Sequence, residues 1–120
     1  MKTHKDLNVW KESMDLVEEV YRLTASYPAE ERFSLISQMR RSAISVPANI
    51  AEGAARNTSA DFCRFLYIGL GSLVELETQI LLSERLGYLK VSQIIDKLNQ
   101  IRAMLLGLIH SLRKKGIKPT

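Results

Sequence analysis

Six apolar or small residues, Phe62, Leu66, Gly69, Leu73, Leu76 and Ile80, recur at spacings of 4-3-4-3-4. The alternation returns in Ile94, Leu98, Ile101, Leu105, Leu108 and Leu112. Such spacing lines one side of an α-helix with hydrophobic groups and favours shallow, coiled-coil-like crossings between helices. No stretch alternates with period two over a useful length, so no strand is expected. The 120 residues suit one domain built around one core, residues 1–120, with a basic tail at 113–120.

Two further helices precede these. The first is expected over Asp6 to Ser26, with Trp10, Met14, Val17, Val20 and Tyr21 on one face. Pro28 then fits the first turn of a second helix, and Glu30 and Glu31 suit its positive start. That helix runs to about Arg56. Thr58 is a good N-cap for the third helix, and Asp61 three residues on resembles a capping box with a shorter acid. Gly87 stands where a left-handed residue closes that helix. Short connections make neighbours antiparallel, so the fold class is all-α: an antiparallel up-down-up-down four-helix bundle.

The second helix carries the unusual stretch QMRRSAISVPANIAEGAAR, residues 38–56. At 100° per residue, Arg41, Ser45, Asn49 and Glu52 form a polar stripe. Met39, Ala43, Ile50 and Ala54 lie opposite and should face the core. The stripe offers charges together with amide and hydroxyl groups, which suits pairing with a neighbouring subunit. Pro47 has no N–H for the Ala43 carbonyl and crowds it, so a kink is expected near residues 43–47. The Ser42 and Ser45 hydroxyls can bond nearby backbone in compensation. Gly53 costs about 1 kcal/mol against Ala inside a helix, which suggests either close approach between helices or a bend before the turn. Folding the second and third helices about Asn57 and Thr58 sets Pro47 opposite Ile68 and Gly69, Ala43 opposite Ser72, and Arg40 opposite Glu75. A partly buried Arg40–Glu75 ion pair is therefore expected.

The formal charge is +4. Without Arg113, Lys114, Lys115 and Lys118, 13 cations would stand against 13 anions, so the basic signal is mainly a C-terminal cluster. Cations there also complement a helix dipole and keep a tail soluble, which is the simplest account of them. The start, MKTHKDLNVW, has no signal-peptide pattern. The longest apolar run, AMLLGLI at 103–109, is shorter than a membrane span. A single cysteine, Cys63, fits a reducing compartment and reads as a small buried hydrophobe. A soluble, cytoplasmic protein is expected. Neither His4 nor His110 belongs to a Glu-x-x-His pair, so no di-iron site is expected. No Cys-x-x-Cys, Walker-type loop or Gly-x-Ser-x-Gly is present. No catalytic residue, metal or cofactor is assigned, and the chain is read as a non-enzyme.

The segment RRSAISVPANIAEGAAR, with Gln38 before it and FLYIGLGSLVELETQI after it, resembles the 23S rRNA intervening-sequence protein family, sometimes labelled S23. The resemblance runs from DLNVWKESMDL into the fourth helix. Arg40, Arg41, Ser45, Pro47, Asn49, Glu52, Gly53, Gly69, Ser72, Glu75 and Thr78 occupy the motif positions. It implies an antiparallel four-helix bundle that assembles as a ring-like homopentamer, and a link to RNA. A related branch comprises accessory proteins of diversity-generating retroelements, which bind nucleic acid and a reverse transcriptase. No enzymatic activity is implied.

Two functions follow as expectations. The first is an oligomeric, RNA-binding protein that uses Arg56 and Arg64 near the second turn, with Arg113, Lys114, Lys115 and Lys118. Arrayed cations gain affinity by releasing counterions from phosphates. The three Phe and the Trp read as core residues, so no sequence-specific readout is expected. The second is a protein-interaction scaffold, a ring that docks a polymerase or other partner without touching nucleic acid.

Overall fold

The computed structural model of the chain describes residues 3–116. Four α-helices form a bundle: α1 (Asn8–Thr24), α2 (Leu35–Ala54), α3 (Ser59–Arg85) and α4 (Ile95–Gly116). Short 3-10 turns occupy His4–Asp6, Ala29–Glu31 and Val91–Gln93, and no strand occurs among the described residues. Each helix packs on its neighbours in the chain, and α4 closes against α1. The result is a rod of 55 × 21 × 20 Å.

The regular spacing in α3 does what it predicts. All six stripe positions from Phe62 to Ile80 are buried. The second stripe holds from Ile94, just before α4, through Leu98, Ile101 and Leu105, and then Ile109 is buried in place of Leu108. A helix of 3.6 residues per turn drifts against a strict 3.5-residue repeat, so the last turn brings the next residue inward. Leu108 and Leu112 pack at the margin of the core.

In α1 the buried face differs from the expected one. It consists of Val9, Ser13, Leu16, Val20, Leu23 and Thr24. Trp10 and Val17 border the core, while Met14 and Tyr21 are exposed. The two hydroxyl residues disguise the face in sequence. Each can be buried because it donates to the carbonyl four residues back: Ser13 to Val9 and Thr24 to Val20, both at 2.7 Å.

Helix α2 starts at Leu35, later than Pro28 suggests. Pro28 instead leads the 3-10 turn, with Glu30 and Glu31 in it. Glu31 accepts from the Ser34 hydroxyl at 2.7 Å and from the Tyr88 hydroxyl at 2.8 Å, tying the α1–α2 connection to the α3–α4 connection. Those two hydroxyls, Ser34 first, hold the Glu31 carboxyl below its ordinary value. From Leu35 the helix runs unbroken through the buried Pro47 to Ala54. As expected, Met39, Ala43 and Ile50 are buried and Ala54 packs against the core.

Both ends of α3 follow the sequence signals. The Thr58 hydroxyl accepts from the Asp61 N–H at 3.1 Å, but the Asp61 carboxylate faces Arg64 at 3.7 Å, so only half of the expected capping box forms. At the other end Gly87 takes φ of 82°, and the Tyr88 N–H reaches the Ser83 carbonyl at 2.9 Å. The Gly87 N–H bonds the Glu84 carbonyl at 3.0 Å, completing a Schellman closure.

Helix α3 is more apolar than its packing requires. By length and composition alone it is long and apolar enough to cross a membrane. Away from its core stripe it exposes Ile68, Val74, Leu81 and Leu82, with Leu86 exposed just past its end.

Candidate nucleic-acid interface

The α2–α3 turn and the end of α4 lie at the same end of the rod. Helices α3 and α4 set this up. Arg102 of α4 donates to Glu77 of α3 at 2.6 Å, and Cys63 Sγ lies 3.8 Å from the Ile109 carbonyl. In that register Arg113 comes level with Tyr67, and its Nη1 donates to the Tyr67 hydroxyl at 3.2 Å. The expected cations Arg56, Arg64, Arg113, Lys114 and Lys115, drawn from three segments, are all exposed here. Lys118 lies outside the described residues.

The cations fall into two groups. Arg56 and Arg64 place their guanidinium carbons 4.7 and 4.5 Å from the centre of the Phe65 ring. Each also has a carboxylate: Glu52 at 2.9 Å from Arg56, and Asp61 at 3.7 Å from Arg64. Their charge is thus partly balanced, at exposed sites where such pairs contribute little. Arg113, Lys114 and Lys115 form no ion pair among the described residues. They cap the last turn of α4, where the dipole favours cations.

Two adjoining grooves open between α3 and α4 beside these groups. One, of about 570 Å³, is walled by Leu106, Ile109 and His110; the other, of about 390 Å³, by Cys63, Arg64 and Leu112. Tyr67 and Arg113 line both, and no carboxylate lines either. The aromatic groups are the part that sequence reasoning missed. Phe62 is buried as expected, but Phe65 is only half-buried, Phe33 is 88% exposed, and Tyr67 is 45% exposed. Pairing Glu77 with Arg102 by charge is the signal that brings Tyr67 level with Arg113.

The assembly residues of α2 are also redistributed. The expected Arg40–Glu75 pair does not form. Arg40 turns toward α1, donating from Nε to the Thr24 hydroxyl at 3.0 Å and stacking 4.3 Å over the Tyr21 ring. The true α2–α3 register is shifted slightly from the simple hairpin. The Ser45 hydroxyl meets the Ser72 hydroxyl at 2.8 Å, whereas the simple hairpin sets Ala43 opposite Ser72. The Ser45 hydroxyl therefore bridges helices and does not bond nearby backbone. Asn49 Nδ2 donates to the Ser45 carbonyl at 2.8 Å and to its hydroxyl at 2.9 Å. Gly53 packs under Phe62 and Phe65, while Gly69 faces the Val46 carbonyl and Asn49. Arg41 and Glu75 are exposed without an ion pair among the described residues.

No group of three His, Cys, Asp or Glu among the described residues could hold a metal ion. The family model described as 23S rRNA-intervening sequence protein matches residues 5–107. No curated protein matches the chain.

Proposed function

Because the chain belongs to the 23S rRNA-intervening sequence protein family, we propose that it is a non-enzymatic, self-associating protein that binds RNA through the basic end of its bundle. The observation that carries the reading is the exposure of Arg56, Arg64, Arg113, Lys114 and Lys115 at one end of the bundle, where Arg64, Arg113 and Lys114 line carboxylate-free grooves. One such end is a modest cation cluster. Copies arrayed in a ring, as the resemblance implies, multiply the number of phosphates engaged at once and the counterions released.

The surface that supports self-association is the outer face shared by α2 and α3. It joins the exposed Ile68 and Leu82 to two unpaired charges of opposite sign, Arg41 and Glu75. A second copy offers both apolar cover and a partner for each charge. A homopentamer is the assembly we assign.

The test is a mobility-shift or anisotropy titration of a structured rRNA stem-loop at several salt concentrations. Binding is expected at low salt, falling steeply as salt rises. Replacing Arg113, Lys114 and Lys115 by alanine should flatten the logarithmic salt slope by roughly 0.7–0.9 for each phosphate no longer neutralised. An unshifted RNA at low salt rejects the proposal. A co-purifying protein that survives nuclease treatment would then favour the docking-scaffold reading.

A further inference from the structure

The double groove beside Tyr67 has a composition that general phosphate attraction does not need. Phosphate neutralisation uses cations on an open surface. Here an exposed aromatic ring stands in the groove, its hydroxyl fixed by Arg113 at 3.2 Å. Apolar walls from Leu106, Ile109 and Leu112 flank it, and Arg64, Arg113 and Lys114 ring it. The two volumes, about 570 and 390 Å³, fall in the range of sites that hold small organic groups, roughly 300–1,000 Å³. The lining asks for a flat apolar ring joined to an anion. A free phosphate does not use the walls, and an aliphatic chain does not use the cations. A base inside a duplex has its faces covered by its neighbours and cannot reach the ring.

We infer that this groove receives an unpaired nucleotide of the bound RNA, its base against the Tyr67 ring and its phosphate at Arg113 and Lys114. The inference rests on the RNA-binding reading above and narrows it: the preferred target carries a single-stranded segment, a loop or an end. The contact is indifferent to base identity, because every base presents a π-face. The Arg113 bond to the Tyr67 hydroxyl orients the ring and keeps one guanidinium close to where the phosphate arrives.

The experiment compares a labelled single-stranded oligoadenylate with an RNA duplex of the same length, by anisotropy, across salt concentrations. Tyr67→Ala and Tyr67→Leu are measured beside Tyr67→Phe, with thermal melts to establish that each variant folds. Tyr67→Leu keeps the apolar bulk without the aromatic face, and so stands in if the alanine variant is unstable. Loss of one stacked base corresponds to roughly 5- to 150-fold weaker binding of the oligoadenylate. That weakening is expected with the salt slope unchanged, because every phosphate keeps its cation. Tyr67→Phe keeps the ring and loses only the Arg113 bond, so it should weaken oligoadenylate binding far less than Tyr67→Leu, and duplex binding should be the same for all. Folded Tyr67→Leu that binds oligoadenylate as tightly as the unaltered protein overturns the inference while leaving RNA binding intact. Failure of the unaltered protein to bind either RNA rejects the RNA-binding reading itself, and this inference with it.

Discussion

Gly53 lies so close under Phe62 that a Cβ at position 53 would stand 2.9 Å from the Phe62 ring and 3.1 Å from its carbonyl oxygen. The Phe65 Cβ is equally near, at 2.9 Å. Two of these three neighbours are backbone or the root of a side chain, so they cannot swing away. Gly53 is therefore what lets the last turn of α2 meet the first turns of α3. Gly69 looks similar in sequence, but a Cβ there would meet the Val46 carbonyl at 3.6 Å, an ordinary contact.

The two glycines should respond oppositely to alanine. Gly53→Ala is expected to destabilise the bundle by about 1–3 kcal/mol, as overpacking does. Gly69→Ala should be neutral or stabilising by up to about 1 kcal/mol, through helix propensity and a less flexible unfolded chain. Chemical denaturation of the two variants checks this. Equal effects would mean that the close approach at Gly53 is not what the glycine serves.

Arg40 supplies a second contrast. Its guanidinium is held by Thr24 and Tyr21 of α1, whereas Glu75 is exposed. Arg40→Ala should lower the melting temperature, costing on the order of 1 kcal/mol for a charge-assisted hydrogen bond and the ring contact. Glu75→Gln should leave the unfolding of the single bundle unchanged and act, if anywhere, on association. A double-mutant cycle showing strong Arg40–Glu75 coupling in the dissociated protein would contradict the geometry.

Assembly is best probed from α3. Placing a charge in its exposed apolar face, by Ile68→Lys or Leu82→Glu, should dissociate the oligomer while each bundle still folds, since both side chains are about half exposed. Sedimentation velocity and far-UV circular dichroism read the two effects separately. Unaltered protein that sediments as a single chain at all concentrations would remove the assembly proposal.

Acid should loosen one end of the rod first. The Glu31 carboxyl is held below its ordinary value of 4.5, chiefly by the Ser34 hydroxyl and next by Tyr88. A depressed folded value means that the unfolded chain binds the proton more readily. The stabilisation is thus present above the ordinary value and lost as pH falls through the folded one. Tyr88→Phe removes one of the two hydroxyls and should reduce stability near neutral pH while shrinking the loss on acidification. Melting curves at descending pH compare the two proteins. Parallel curves would show that the Tyr88–Glu31 bond does not contribute.

Legibility in the sequence varies with how local each feature is. The α3 stripe, the Thr58 cap and the Gly87 closure can be read directly, because each depends on residues within a turn or two. The α1 face is hidden because Ser13 and Thr24 look polar until their hydroxyls find a carbonyl in the same helix. The start of α2 is ambiguous because Pro28 suits a 3-10 turn as well as an α-helix. At the candidate site the cations are legible as a composition. Their meeting with Tyr67 is not, since it depends on how α3 and α4 slide past each other.

Taken alone, then, the chain determined four amphipathic helices, their principal caps and the family to which its motifs point. These follow from periodicity, capping and backbone freedom, which act over a few residues. Which guanidinium met which partner was decided by the tertiary structure. Arg40 went to Thr24 and Arg113 to Tyr67 because long, flexible side chains satisfy their charge wherever packing first brings an acceptor within reach, and only the packed register of whole helices fixes that place.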